Sequence, residues 1–475
     1  MQILNTSLFS IALITIIFQL IVFYKKLGLK FLIHPGTYFA LIWGVSTFSQ
    51  NLLMQLNLAA IVDLPSILEI NVFVICTSLF FTFWITLYPF NGYESIKKFN
   101  FQIKLNVLKA LLKITLIGAI LLMLYSWFKL GVTSLNISEI RALNTGNKNN
   151  YLGTSADPIL SLLKYTQFFY PILTIIVGYL LGAKALAKEN IKISNRYLYI
   201  PLIIAIVYVL TNGGRNPLFI GVKLYFIGLC FSFPGVMSKA KKKWIIKRII
   251  YIFLGLMLFS TFISNSRSSY HKADSFSNNF DNPILKSISG IIEYTGAHYY
   301  GYQLRNTDTF DENKLGYGYF TFNGIFNIGL PFSSYTGVDK TLGNLVGFED
   351  NPIDYFYLWE NDKVGYFTTN SIYLDLKLDF GFYGTILFLF IFTRYTHKLF
   401  LNTQNTKPIG LFNILWFYLC FNFWASSNFK SFYATDIIGA IIMIFLFSKI
   451  FKKYKASPFI LKTISTQTAI NPNKD

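Results

Sequence analysis

Charged residues are scarce in this chain. They make up 13% of its 475 positions, against 53% hydrophobic and 18% aromatic. A water-soluble fold of this length has no use for so much apolar surface, whereas each helix that crosses a bilayer needs about 20 consecutive apolar residues. Cysteine is equally sparse. Cys76, Cys230 and Cys420 each lie inside an apolar run, which excludes both a disulfide framework in the loops and metal-site spacing. There are four histidines, no Gly-rich nucleotide loop and no Ser-His-Asp pattern, so zinc or nucleotide chemistry is not expected and ATP hydrolysis is excluded. Neither a metal nor a cofactor is expected. Acids are also few, 22 against 42 bases, for a formal net charge of +20. On a soluble chain that balance would suggest nucleic acid. Here the bases sit in short connections between apolar runs and read as orientation signals facing anionic lipid, so the lipid bilayer, and no nucleic acid, is the expected partner.

What is abundant is apolar sequence in long runs. Eleven can be drawn: Leu4 to Tyr24, Thr37 to Leu56, Ile67 to Tyr88, Ala110 to Phe128, Ile159 to Leu181, Tyr197 to Thr211, Pro217 to Phe233, Ile249 to Ile263, Leu374 to Thr393, Ile409 to Trp424 and Ala434 to Phe451. The first has no basic residue before it and Lys25 and Lys26 after it, the reverse of signal-peptide polarity, and is expected to be a retained helix. Lysine and arginine cluster after every odd-numbered run, and the short connections between are not basic in that way. Lys239, Lys241, Lys242, Lys243, Lys247 and Arg248 after the seventh are the densest group. By the positive-inside rule these connections are cytoplasmic, with the N-terminus outside, the C-terminus inside and an odd helix count, which eleven satisfies. The expected fold is therefore an all-α polytopic membrane protein of about 11 transmembrane helices. Residues 1–263 carry the first eight, 264–370 form one large outer loop, 371–455 carry the last three, and 456–475 form a cytoplasmic tail.

The outer loop holds 12 of the 22 acids, and a connection of roughly a hundred residues with no spanning run is usually functional. Asp281-Asn282-Pro283 reads as a helix start, and Ile284, Ile288, Ile291 and Ile292 then recur at helical spacing. Such a helix is expected to lie flat at the membrane surface with its apolar side down. Gly316-Tyr317-Gly318-Tyr319 and Ser333-Ser334-Tyr335-Thr336-Gly337 read as turns. Tyr294, Tyr299, Tyr300, Tyr302, Tyr317 and Tyr319 admit two readings, an interfacial aromatic belt or a platform on which sugar rings stack.

Topology accounts for the cytoplasmic bases but not for the outward ones. Arg141 lies in Ile137-Ser138-Glu139-Ile140-Arg141-Ala142, Arg215 in Thr211-Asn212-Gly213-Gly214-Arg215-Asn216-Pro217, Arg267 just after the eighth run, and Arg305 further along the loop. A guanidinium is permanently charged and offers several donors in a planar fork, which suits phosphate and diphosphate oxygens. Arg215 has the fullest context: two glycines permit a sharp break, and Pro217 in the first turn of the next helix leaves that N-terminus facing an anion. Its competing reading is a snorkelling arginine at a helix end. Lys223, about two turns further in, is either functional at depth or snorkelling to the cytoplasmic side. The candidates for a general base are Glu293, His298 and His271; Tyr294 and His298 would share a face of the proposed surface helix.

This layout resembles the O-antigen polymerase (Wzy) family, also called oligosaccharide repeat unit polymerases. The resemblance rests on the short outer turn Gly213-Gly214-Arg215, the large loop between late helices, Ser138-Glu139-Ile140-Arg141, Arg267 after its helix, and Asp379-Phe380-Gly381-Phe382-Tyr383-Gly384 opening the next. It spans about Ile137 to Phe451. It implies a GT-C-like, metal-independent glycosyltransferase in the bacterial inner membrane. The enzyme would transfer a growing glycan from undecaprenyl diphosphate to a lipid-linked repeat unit at the periplasmic face, in O-antigen or capsule synthesis. By the same resemblance Arg215 and Arg267 would hold diphosphate, with Arg141, Arg305 and Lys223 in support, and Glu293, His298 or His271 would be the base. The partners would be the undecaprenyl-diphosphate-linked oligosaccharide and a chain-length regulator protein.

Two alternatives stand beside it. An O-antigen ligase uses the same donor, and a lipid-linked oligosaccharide flippase would be a transporter, although the long loop and the absence of an internal repeat argue against the latter. A dolichol-phosphate-type transferase would want an acidic pair in the first outer connection, which offers only Asp63, with Glu69 in the following helix. The expected topology is testable with a membrane-impermeant maleimide: Asn147→Cys should label in intact cells and Lys242→Cys only after permeabilisation, and the opposite pattern would invert the topology.

Overall fold

The computed structural model describes residues 2–56, 63–90, 105–133, 166–186, 193–212, 216–233, 240–248, 372–404 and 411–425, with isolated positions between them. Among the described residues 93% are helical and none lies in a strand. The principal helices are α1 (Gln2–Leu27), α2 (Pro35–Gln55), α3 (Leu64–Leu87), α4 (Leu105–Leu130), α5 (Tyr170–Leu186), α6 (Asn195–Asn212), α7 (Asn216–Phe231), α8 (Ile372–Gln404) and α9 (Leu411–Ala425). Four helical stretches, Asn5–Ile33, Leu64–Leu87, Leu105–Leu130 and Ile372–Gln404, are long and apolar enough to cross a bilayer. The fold is compatible with an α-helical membrane protein. The apolar runs drawn as the eighth and eleventh lie largely or wholly outside the described residues.

Local sequence explains the helix ends. α1 stops at Gly28, whose φ of 56° is the left-handed value that favours glycine after a helix, and a 3-10 turn, Gly28–Ile33, follows. His34 is extended and its side chain accepts from the Gly36 N–H, with Pro35 at the first helical position of α2. Asp63 caps α3 by accepting from the Ser66 N–H at 2.8 Å, so the single acid of that connection is a helix cap. The fifth apolar run was expected as one span from Ile159; instead the 3-10 turn Thr166–Phe169 interrupts it and α5 starts at Tyr170, because Pro171 belongs in a first turn. α8 departs further. It extends past Thr393 to Gln404, and at Gly381 (φ 66°, ψ −177°) two helical segments meet across a kink.

Contacts give the helix directions. Lys109 and Lys113 lie over the Tyr197 ring near the starts of α4 and α6, and the Trp127 indole N–H donates to the Leu210 carbonyl near their ends, so these two are parallel. α5 and α7 are parallel by the same test, with Tyr170 against Gly221 at one end and Gly182 against Ser232 at the other. Alternating crossings require this of runs with equal parity. The α5–α7 contact brings backbones close at Gly178 and Gly228, with Gly182 and Gly221 against the Ser232 and Tyr170 side chains, which is how helices associate where burial of apolar surface supplies no driving force. α1, α2, α3, α8 and α9 form a second packed group. It joins the first where α7 meets the 3-10 turn Gly28–Ile33 and where Phe231 contacts Phe417.

Polarity is inverted relative to a soluble protein. Gln19, Thr47, Ser49, Gln50, Asn71 and Thr77 are buried, while Ile11, Ile14, Ile17, Phe18 and Ile21 of α1 are about half exposed. A methyl group on Gly178 would overlap the backbone carbonyl of Tyr225, whereas Gly255 has open space around it. Gly178→Leu should therefore cost about 1–3 kcal/mol, the usual range for overpacking. In detergent its melting midpoint should fall well below that of Gly255→Leu, and equal midpoints would contradict the close packing.

Candidate functional site

The first helical segment of α8, 372–380, lies inside an apolar run yet contains Asp375, Lys377 and Asp379, all buried. As the chain advances from Tyr373 to Lys377 it moves toward the start of α3. The Tyr373 ring stacks on Phe73 and its hydroxyl meets Thr77 at 3.3 Å, whereas Lys377 reaches Glu69. Beyond Gly381 the direction reverses: Phe382 meets Phe73, Phe390 meets Phe80, and His397 bonds the Tyr88 carbonyl. The segment therefore rises to one end of the bundle and the chain descends again. Glycine's positive φ makes this break possible, and Phe380 folds back to stack on Phe388. The Asp379 carbonyl at the top is bonded by the N–H of Tyr317, which sits in a turn with φ 48°.

The polar cluster at this end is built on Glu69, whose side chain is partly buried. Lys377 Nζ binds both of its carboxylate oxygens, at 2.9 and 2.7 Å, and the Tyr302 hydroxyl donates to Oε2 at 2.6 Å. The ammonium also lies 5.9 Å from the centre of the Tyr302 ring. Burial, and then the negative charge of Glu69, hold the Tyr302 hydroxyl protonated well above the ordinary phenol range, which keeps it a donor. One turn earlier along the chain, the Tyr299 hydroxyl donates to Asn71 Oδ1 and meets Thr47 Oγ1, each at 2.9 Å. Burial raises its pKa as well, opposed by the bond to Thr47. Asn71 Nδ2, Gln50 Nε2 and Ser46 Oγ nearby are buried without a hydrogen-bond partner. The end of the bundle is thus rich in hydrogen-bonding capacity that its own side chains do not exhaust.

This corrects one expectation about the large loop. Leu285, Ile288, Ser289, Ile292, Gly296, Tyr299 and Tyr302 are indeed helical. Yet Leu285 and Ile288 are 48% and 38% exposed, while Tyr299 and Tyr302 are fully buried. The packed face runs through Ser289, Gly296 and the two tyrosines and docks on the ends of α2 and α3. Gly296 comes so close that a Cβ there would lie 2.9 Å from Leu53. Tyr299 and Tyr302 are therefore neither an aromatic belt nor an open sugar platform. Tyr302 finds its partners in Glu69 and Lys377, and Tyr299 finds its own in Asn71 and Thr47, so both hydroxyls are paired inside the protein.

Of the residues singled out from sequence, Arg141, Arg215, Arg267, Arg305, Glu293, His298 and His271 lie outside the described residues. Lys223 is half-buried on α7. α6 ends at Asn212 and α7 begins at Asn216, so residues 213–215 join them directly. The far end of α7 meets the 3-10 turn Gly28–Ile33, whose Lys30 binds Gln404 at the end of α8. The start of α7 therefore lies toward the same end of the bundle as Glu69 and Lys377. From sequence, Glu69 and Asp379 are named without a role in this cluster and Asp375 and Lys377 are left out, although an ionisable residue inside an apolar run is a recognisable signal. No metal-binding group of His, Cys, Asp or Glu occurs among the described residues.

Comparison with family models, with curated proteins and with solved structures finds no match in any of the three.

The Glu69–Lys377 pair makes a defined prediction. Glu69→Gln strands the buried Lys377 and should cost about 3–5 kcal/mol, and Lys377→Met, which strands the partly buried Glu69, should cost less. The double variant should cost much less than the sum of the singles in thermal melts. Additive costs would show that the two charges do not act as a pair.

Proposed function

We propose that the chain is a polysaccharide polymerase of the inner membrane, with eleven crossings, an outward N-terminus and a GT-C-like arrangement. It would transfer a growing glycan from undecaprenyl diphosphate to a lipid-linked repeat unit at the periplasmic face. The observation that carries this reading is the connection between α6 and α7. It is only three residues long, contains Arg215, and leads into a helix start with Pro217 in its first turn, toward the bundle end that holds the Glu69–Lys377–Tyr302 cluster. A helix N-terminus and a guanidinium together favour a dianionic group.

The chemistry suits a site without metal. In the transfer, the bond from the sugar's anomeric carbon to the diphosphate oxygen breaks, and a bond to the acceptor hydroxyl oxygen forms. Arg215 and Arg267, supported by Arg141, Arg305 and Lys223, would stabilise the negative charge that develops on the departing diphosphate. Glu293, His298 or His271 would take the acceptor's proton. The Tyr302 hydroxyl and the 372–380 segment would hold the large loop against the bundle, so that its acids and histidines face the acceptor.

Arg215→Ala and Arg267→Ala, scored at matched expression on a polysaccharide gel, should each abolish the polymer ladder and leave the protein inserted. Single capped repeat units left behind would favour polymerase. Polymer retained on undecaprenyl diphosphate would favour ligase, and lipid-linked units accumulating on the inner face would favour a flippase. An unchanged ladder in both variants would remove the proposed site.

A further inference from the structure

The opposite end of the bundle carries a second buried polar assembly, one that the proposed transfer reaction does not use. His34, between the 3-10 turn and α2, and His397, near the end of α8, are 0% and 1% exposed. His34 Nε2 lies 3.1 Å from His397 Nδ1. The Gly36 N–H points at His34 Nδ1 at 3.0 Å, and His397 Nε2 lies 2.9 Å from the Tyr88 carbonyl oxygen just beyond α3.

The two outer contacts settle where every proton sits. A backbone N–H can only donate, so His34 Nδ1 is bare. A carbonyl can only accept, so His397 Nε2 carries a hydrogen. The single proton between the rings then belongs to His34 Nε2. Placing it on His397 Nδ1 would make His397 a cation and leave His34 with no proton on either nitrogen. Both imidazoles are therefore neutral and share the Nε2–H tautomer, in an unbroken chain from Gly36 through His34 and His397 to Tyr88. This chain has no place for another proton. One added at His34 Nδ1 faces the Gly36 N–H at the positive end of α2, and one added at His397 Nδ1 faces the His34 N–H.

Among the described residues no carboxylate faces the pair, and the Tyr88 carbonyl at His397 Nε2 is the contact that favours an imidazolium. Phe23 of α1, Phe81 of α3 and Phe400 of α8 form the walls, with ring centres 4.7, 5.6 and 4.7 Å from that of His34. On the elements around the pair the titratable groups are Tyr24, Lys25 and Lys26 on α1, Lys30 on the 3-10 turn, Tyr38 on α2, Tyr88 just beyond α3, Cys230 on α7, and Arg394, Tyr395 and Lys398 on α8. All are cationic or neutral. Among the described residues the carboxylates, including Asp63, Glu69, Asp375 and Asp379, belong to the other end.

We propose that the His34–His397 chain is an acid-sensitive latch, holding the start of α2 and the ends of α3 and α8 together while both rings are neutral and releasing them when either is protonated. It stands independently of the transfer reaction, since none of its atoms belongs to the candidate site. The sign follows from where protons bind. An opened His takes up its proton near pH 6.5 and the latched His does not, so the latch is at full strength above about 6.5 and weakens as pH falls. Each unit below that favours the opened state by up to about tenfold per histidine, or about a hundredfold for both.

The test uses full-length protein in detergent. In the His271→Asn/His298→Asn variant only the pair remains, and its nitrogen-15 NMR signals at pH 7.5 should show two neutral Nε2–H imidazoles. A charged or Nδ1–H ring would overturn the proposal. Separately, the melting midpoint of the wild type should fall between pH 7.5 and 5.5 by clearly more than that of His34→Gln/His397→Gln, where nothing at this site titrates. Equal falls would overturn it as well. If the double variant does not fold, the pH titration of the two NMR signals decides: both rings should stay neutral well below pH 6.5 until the protein opens, and ordinary titration near 6.5 in the folded protein would refute the latch.

Discussion

A polar group surrounded by hydrocarbon and aromatic rings has no water to bind, so it must find its partner within the protein. That constraint organises this structure. Glu69 and Lys377 are tolerated inside because each neutralises the other and Tyr302 completes the carboxylate's shell. Ser and Thr hydroxyls along the helices turn back to the carbonyl four residues earlier, as Thr77 does to Phe73 and Thr211 to Val207. The apolar side chains that a soluble protein would hide face outward instead.

The same constraint divides the bundle into two unlike ends. One gathers carboxylates, tyrosines and a salt-bridged lysine; the other gathers the paired histidines amid lysine and arginine. α8 connects them. Its break at Gly381 lets nine residues present Tyr373 and Lys377 to α3 from one direction, while the rest of the helix follows α3 to the histidine pair. A straight helix would bring Lys377 and Tyr373 past α3 in the wrong order to reach both Glu69 and Thr77.

If the chain transfers glycans, these ends have different tasks. The carboxylate-rich end would anchor the large loop beside the arginine-bearing connection of α6 and α7, where a diphosphate leaves. The loop's docking through Tyr299, Tyr302 and Gly296 matters here, because a loop tied at fixed points positions its catalytic groups better than one resting on lipid. The unpartnered amide donors of Asn71 and Gln50 lie in the same region.

Periodic and compositional features were legible in the chain. Apolar run length marked the described helices to within a few residues at most ends, and Pro217 marked a helix start, because these signals act over one or two turns. The alternation of basic connections agrees with the parallel pairs α4/α6 and α5/α7. Long-range pairing was not legible. Glu69 and Lys377 are 308 positions apart, and His34 and His397 are 363 apart. Nothing local distinguishes a lysine that will meet a carboxylate from one that will snorkel, or a histidine at a connection from a solvated one. Their roles follow from which helix faces which, and that is settled only when the whole bundle packs and the buried charges find their partners at once.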